Sequence, residues 1–184
     1  SLNEDSKMEK LLYGGTPEEN ITALCMKFNE GIPFSKGGRS YETGFDLQTD
    51  GFDNSDYPEG NGYGVDGPGY IIWLFRNALG YTPEDLKGEF SVKSFKQEIS
   101  MNNLKTGDIC ITGNAGDNDI QMGVVAGFNK EYAVVSTCSN EATEKFPYGC
   151  NHLCYIRSQT DDILGNFDSV DFKRFYRIAE MEGK

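Results

Sequence analysis

A chain of 184 residues has the length of one ordinary domain and is long enough to enclose a core. Its 29 acidic side chains against 17 basic ones, a net charge of −12, repel a phosphate backbone and argue against nucleic acid as a partner. No apolar run approaches the roughly 20 residues that span a bilayer. The opening SLNEDSKMEK has no hydrophobic signal core, so no membrane span is expected, although a first residue Ser1 is compatible with a leader or anchor removed upstream.

In chain order, SKMEKLLYGG is a short helix candidate, and residues 1–16 are expected to form a helical appendage to a single domain over 1–184. PEENITALCMKFNEG places Ile21, Leu24, Cys25 and Phe28 on one helical face and stops at Gly31. GIPFSKGGRS reads as a bend and a short extended piece, in which Gly37 and Gly38 serve backbone turns. Residues 43–66 form an acidic insertion rich in Gly, Asn and Asp, too polar for a core and longer than an ordinary connection. PGYIIWLFRNALG then sets Pro68 in a first helical turn, spaces Ile71, Ile72, Phe75 and Leu79 as a helix would, and ends at Gly80, which predicts the central helix. TPEDLKGEFSVKSFKQEIS reads as a second helical and turn stretch. After it GDICITG, IQMGVVAGF, EYAVVSTCS, HLCYIRSQ and FKRFYRIA are short, β-rich and bounded by turn residues. Helices first and strands later predict an α+β domain with an antiparallel sheet.

The cysteines Cys25, Cys110, Cys138, Cys150 and Cys154 are odd in number and scattered, so no disulfide framework is implied. Cys138, Cys150, His152 and Cys154 fall close together but lack the paired spacing of structural zinc sites, and alternation in HLCYIR favours plain strand packing. DLQTDGFDNSD is oxygen-rich without the full spacing of a calcium loop. No metal and no cofactor is assigned.

Four segments, GIPFSKGGRS, GVDGPGYIIWLFRNALG, NLKTGDICI and IQMGVVAGF, resemble in order and spacing the landmarks of the NlpC/p60 cell-wall cysteine peptidases. That family's pattern runs Gly-x-Pro-Tyr-x-Trp-Gly-Gly, Asp-Cys-Ser-Gly-[Phe/Leu]-[Val/Ile], Leu-x-x-Gly-Asp-[Leu/Ile] and His-[Val/Ile]-Gly-[Ile/Val]-[Val/Tyr]. The match covers roughly Glu18 to Ser139, and it implies a papain-like fold with helices packed on an antiparallel sheet.

The departures fall on the chemistry. Gly67 and Pro68 follow Asp66 where the family has Cys-Ser, and Gln121 stands where the family has its histidine base. The third polar position falls on Thr137, or on Ser136 with a shift of one residue. Phe34 replaces the family's tyrosine and Lys36 its tryptophan. A nucleophile and a group to manage its proton are both required for amide cleavage, and an amide side chain takes up no proton near neutral pH. Two readings follow from the resemblance. One is a pseudoenzyme of bacterial, secreted or cell-wall-associated type that binds a peptidoglycan stem peptide or a protein partner through the former groove. The other is an active cell-wall peptidase or amidase using non-standard residues, with Cys138 the strongest candidate for a relocated nucleophile.

The expected ligand-binding residues are Phe34, Arg39, Asp66 and Gln121. Asp66 is either a ligand for a free amino group or a cap on the Trp73 helix. Arg39 either faces a ligand or pairs with the acidic loop.

Overall fold

The computed structural model describes residues 15–27, 32, 34, 65–87, 95, 97–113, 121–129, 132–141, 144, 149–157 and 172–182. Within them lie two α-helices, α1 (Pro17–Lys27) and α2 (Gly67–Leu79), and six strands. The strands are β1 (Gln97–Ile99), β2 (Ile109–Ile111), β3 (Met122–Asn129), β4 (Tyr132–Ser139), β5 (Cys150–Arg157) and β6 (Arg174–Arg177). They form one sheet in the order β1-β6-β2-β3-β4-β5, with every neighbouring pair antiparallel. This is the α+β architecture expected from the sequence. The helix candidate within SKMEKLLYGG, most of the appendage and most of the acidic insertion lie outside the described residues.

Each helix starts for a local reason. Thr16 Oγ1 accepts the Glu19 N–H at 3.2 Å while the Glu19 carboxylate accepts the Thr16 N–H at 3.4 Å, a capping box that satisfies two otherwise orphaned donors. Helix α2 starts on Asp66 with Pro68 in its first turn, and ends at Gly80, whose φ of 82° lets its N–H reach the Arg76 carbonyl at 2.8 Å. Every residue of α2 from Gly69 to Ala78 is buried, so this helix is itself core rather than an amphipathic cover. Burying side chains as large as Trp73 and Phe75 contributes about 1.5–3 kcal/mol each.

The stretch expected to be helix and turn after α2 is different. Its described part holds only a 3-10 turn, Glu84–Leu86, and then the strand β1. Three residues are too few to display a period of two, and the pairing that makes them a strand is with β6, where Gln97 faces Arg177 and Ile99 faces Phe175.

Alternation divides the core into two layers. Val124, Ala126, Val134 and Ile109 face the helices, where they pack with Ile21, Leu24, Tyr70 and Leu74. Cys110, Val125, Val135, Cys154 and Phe175 share the other face. Helix α1 is tied to both partners by side-chain hydrogen bonds. Thr22 Oγ1 donates to the Ala126 carbonyl at 2.6 Å, and Asn20 Nδ2 donates to the Ala78 carbonyl at 3.0 Å. Among the described residues no helix is long and apolar enough to cross a membrane.

Candidate functional site

Helix α2 opens against the sheet, and the first turn sets the chemistry available there. Asp66 is its N-cap, with Oδ1 accepting the Gly69 N–H at 2.7 Å, and the Asp66 carbonyl accepts the Tyr70 N–H at 2.8 Å. Pro68 has no amide hydrogen. A helix N-terminus ordinarily presents several free donors to an anion, but here those of residues 68–70 are absent or already engaged. The capping alternative for Asp66 is therefore the geometry found.

Gly67 is the first helical residue. A Cβ built there would lie 3.7 Å from Met122 Cβ, 3.8 Å from the Cys138 carbonyl oxygen and 3.9 Å from the Met122 nitrogen. These are ordinary contacts, so the position has room for a side chain and merely lacks one. The same distances locate it. Gly67 stands where the start of β3 and the end of β4 meet, beside the residues that follow Gln121 and Thr137.

Gln121 is half-buried just before β3. Its N–H donates to Thr112 Oγ1 at 3.0 Å, and its carbonyl accepts the Thr112 N–H at 3.1 Å. Thr137 lies opposite Gly123 on one side and His152 on the other, and its hydroxyl donates to the Met122 carbonyl. A Cβ at Gly123 would be 2.5 Å from Val135 Cγ1 and 3.4 Å from Thr137 Cβ, which puts the Thr137 side chain on the face turned away from α2. Ser136, opposite Val124, carries the hydroxyl that faces the helix. A strand reverses face at each residue, so the shift of one left open in the sequence decides which hydroxyl looks toward Gly67.

Phe34 joins this junction. Its N–H donates to the Gly149 carbonyl at 3.0 Å, it bridges Val65 in parallel, and its half-buried ring packs on the helix-side core. Phe34, Asp66 and Gly67 are thus brought together, with Met122 next to Gln121. Arg39 and Lys36 lie outside the described residues.

Beneath the first turn lies a polar cluster that sequence reasoning missed. Tyr70 Oη is 2.5 Å from Ser136 Oγ, the Asn151 carboxamide also hydrogen-bonds the phenol, and the Cys25 thiol interacts with both hydroxyls. All four side chains are buried. Burial pushes the Cys25 thiol up to about 11, against the lowering effect of the two hydroxyls. Burial, with Cys25 adding to it, also raises the Tyr70 phenol well above its ordinary value. The available signal was Tyr70 itself. It occupies a position that the resembled pattern fills with Phe or Leu, and a buried phenol calls for a hydrogen-bond partner.

Cys138 does not have the setting of a nucleophile. Its sulfur points to the Val65 carbonyl at 3.6 Å and the Ile32 carbonyl at 3.9 Å, and burial, Cys150 and Asp66 all push its thiol up. Reactive cysteines need the opposite surroundings. All five cysteines are free and buried. Cys150, His152 and Cys154 share one face of β5 by alternation, whereas Cys138 faces the other way with its neighbour Asn151. His152 Nε2 lies 3.7 Å from a Glu141 carboxylate oxygen. Among the described residues no group of three or more His, Cys, Asp or Glu side chains is placed to hold a metal ion.

Fold and site together define an α+β domain in which a buried helix delivers its N-terminus to the ends of two interior strands, β3 and β4, of an antiparallel sheet. No family model matches the chain, and no curated protein matches it. Among solved structures it is similar to the P60 domain of an antigen from M. avium paratuberculosis, at 14% identity and a TM-score of 0.45, over 88% of this chain and 96% of that one. At those values the functional reading rests on the residues themselves.

Proposed function

We propose that this chain is a non-catalytic, NlpC/p60-like domain that binds a peptidoglycan stem peptide, or a protein presenting a similar extended peptide, in the groove where α2 meets the sheet. One observation carries the reading. The helix start holds Gly67 and Pro68, and Gln121 stands just before β3 beside it, so among the described residues the junction lacks the thiol and the histidine that the resemblance to cysteine peptidases calls for. The same junction gathers Phe34, bridged to Val65, and Gly67, set against the β3 and β4 backbones, which supports a binding role there.

In this reading Phe34 supplies an apolar wall, Asp66 a carboxylate charge at the rim, and Gln121 and Arg39 hydrogen bonds to a backbone or side chain of the ligand. A cell-wall-associated or secreted location accords with that ligand. The test is incubation with purified muropeptides and cross-linked wall, followed by amine release, alongside calorimetric titration with the same muropeptides. Binding without release is the expected result. Release of new amine, abolished by a change at Gln121, would establish the active peptidase instead.

A further inference from the structure

We propose that Asn151 is a positioning residue that fixes the Ile32 and Phe34 backbone as one wall of the groove; the role of that wall rests on the binding function proposed above. Asn151 is fully buried at the start of β5 and grips Ile32 twice. Its N–H donates to the Ile32 carbonyl at 2.9 Å, and its Oδ1 accepts the Ile32 N–H at 2.8 Å. In a regular antiparallel pair the second bond would run to the Asn151 carbonyl. Here the side chain takes that place.

The same carboxamide ties the wall to the helix. The carboxamide whose Oδ1 takes the Ile32 N–H also hydrogen-bonds the Tyr70 phenol, whose hydroxyl lies 2.5 Å from Ser136 Oγ. The hydrogen bonds thus run as a continuous chain from Ile32 through Asn151 to Tyr70 and Ser136. Next along the wall, Phe34 donates to the Gly149 carbonyl and bridges Val65, the residue before the Asp66 cap. One buried amide side chain therefore sets the spacing between Ile32 and Phe34 and the helix that begins at Gly67. A hydrocarbon at 151 would leave the buried Ile32 N–H without its acceptor, and such a group opens readily to solvent.

Amide hydrogen exchange on the whole chain tests this, reading Ile32 against Val125, a buried amide bonded to the Asp108 carbonyl at 2.8 Å. Asn151→Ala should speed Ile32 exchange about 10-fold or more relative to Val125. Asn151→Asp, which keeps an acceptor oxygen, should restore it, and Tyr70→Phe should leave the ratio unchanged even though it lowers overall stability. Should Asn151→Ala fail to fold, Asn151→Ser, too short to reach Ile32, gives the same comparison. An unchanged ratio in the shortened variants, or an equal rise in Tyr70→Phe, overturns the assignment. Titration of the wild-type chain with muropeptides separates the two claims, because absence of binding removes the groove function while the exchange ratio still decides the role of Asn151.

Discussion

Gly67→Cys places a thiol where helix α2 begins, and the structure says what else would have to change for it to act as a nucleophile. Its Cβ would meet Met122 and Cys138 at 3.7–3.8 Å, ordinary contact distances, so the backbone there can carry a side chain. Replacing glycine at an unstrained position stiffens the unfolded chain and stabilises by about 0.4–1 kcal/mol, which for a domain of this size raises Tm by roughly 1–4 °C. The helix terminus favours the thiolate, while the Asp66 carboxylate at the same terminus opposes it. The proton for the leaving amine is the larger obstacle. General acid–base catalysis is worth about 10²–10⁴-fold, and His152, the single histidine of the chain, is on the face of β5 turned away from Tyr70 and Ser136. The variant should therefore fold and react with iodoacetamide faster than the five buried native thiols, yet release no amine from muropeptides. Adding Gln121→His should give weak hydrolysis at best, since Pro68 and Phe34 remain. Efficient release by Gly67→Cys with Gln121 intact would refute the reasoning, because a base would then already be in place.

Tyr70→Phe strips the hydroxyl shared by Ser136 and Asn151 and should cost about 1–3 kcal/mol in urea unfolding; adding Ser136→Ala should cost less than the two single losses summed, whereas strict additivity would mean the cluster is not coupled. Asp66→Ala removes the α2 cap and should cost about 1 kcal/mol, read as a lower Tm. Gly149→Ala must place a Cβ 2.1 Å from the Ser139 carbonyl at a φ of 97°, and should destabilise by at least about 2 kcal/mol; a neutral result would show that the strand junction relaxes freely. The folded Cys25 thiol holds its proton to about pH 11 whereas an unfolded one ionises near 9.0, so its contribution is full below pH 9 and is lost as pH rises from there to 11. Cys110, Cys138 and Tyr70 are shifted the same way, so denaturation midpoints should fall on the alkaline side of pH 9.

Much of the fold could be read from local pattern because the relevant signals were local. Pro68 and Gly80 bracket α2, and five of the six strands announce themselves as short stretches rich in β-branched or aromatic residues between turns. Strand β1 did not, because Gln97–Ile99 becomes a strand only through a partner far along the chain. The site divides in the same way. Gly67, Pro68 and Gln121 are visible as residue types at positions of the resembled motif, so these departures from it needed no coordinates. The choice between Ser136 and Thr137 needed the register with β3, which no single strand contains. Asn151 was hidden between Cys150 and His152, whose chemistry draws the eye, and its importance arises from Ile32 and Tyr70, both distant in sequence.

The position of β6 bears on how the molecule is made. The last strand in chain order is an interior one, inserted between β1 and β2, where Phe175 faces both Ile99 and Cys110. During synthesis the strands β2 to β5 can pair as they emerge, each with its predecessor. They must then wait with an open edge at β2, while β1 has no neighbour in the sheet. An open edge is where a growing chain recruits the wrong strand, its own or another's. A chain released without Arg174 and the residues after it would thus hold a four-stranded sheet with a vacant slot, and a peptide spanning Arg174–Arg177 supplied separately is the natural thing to fill it.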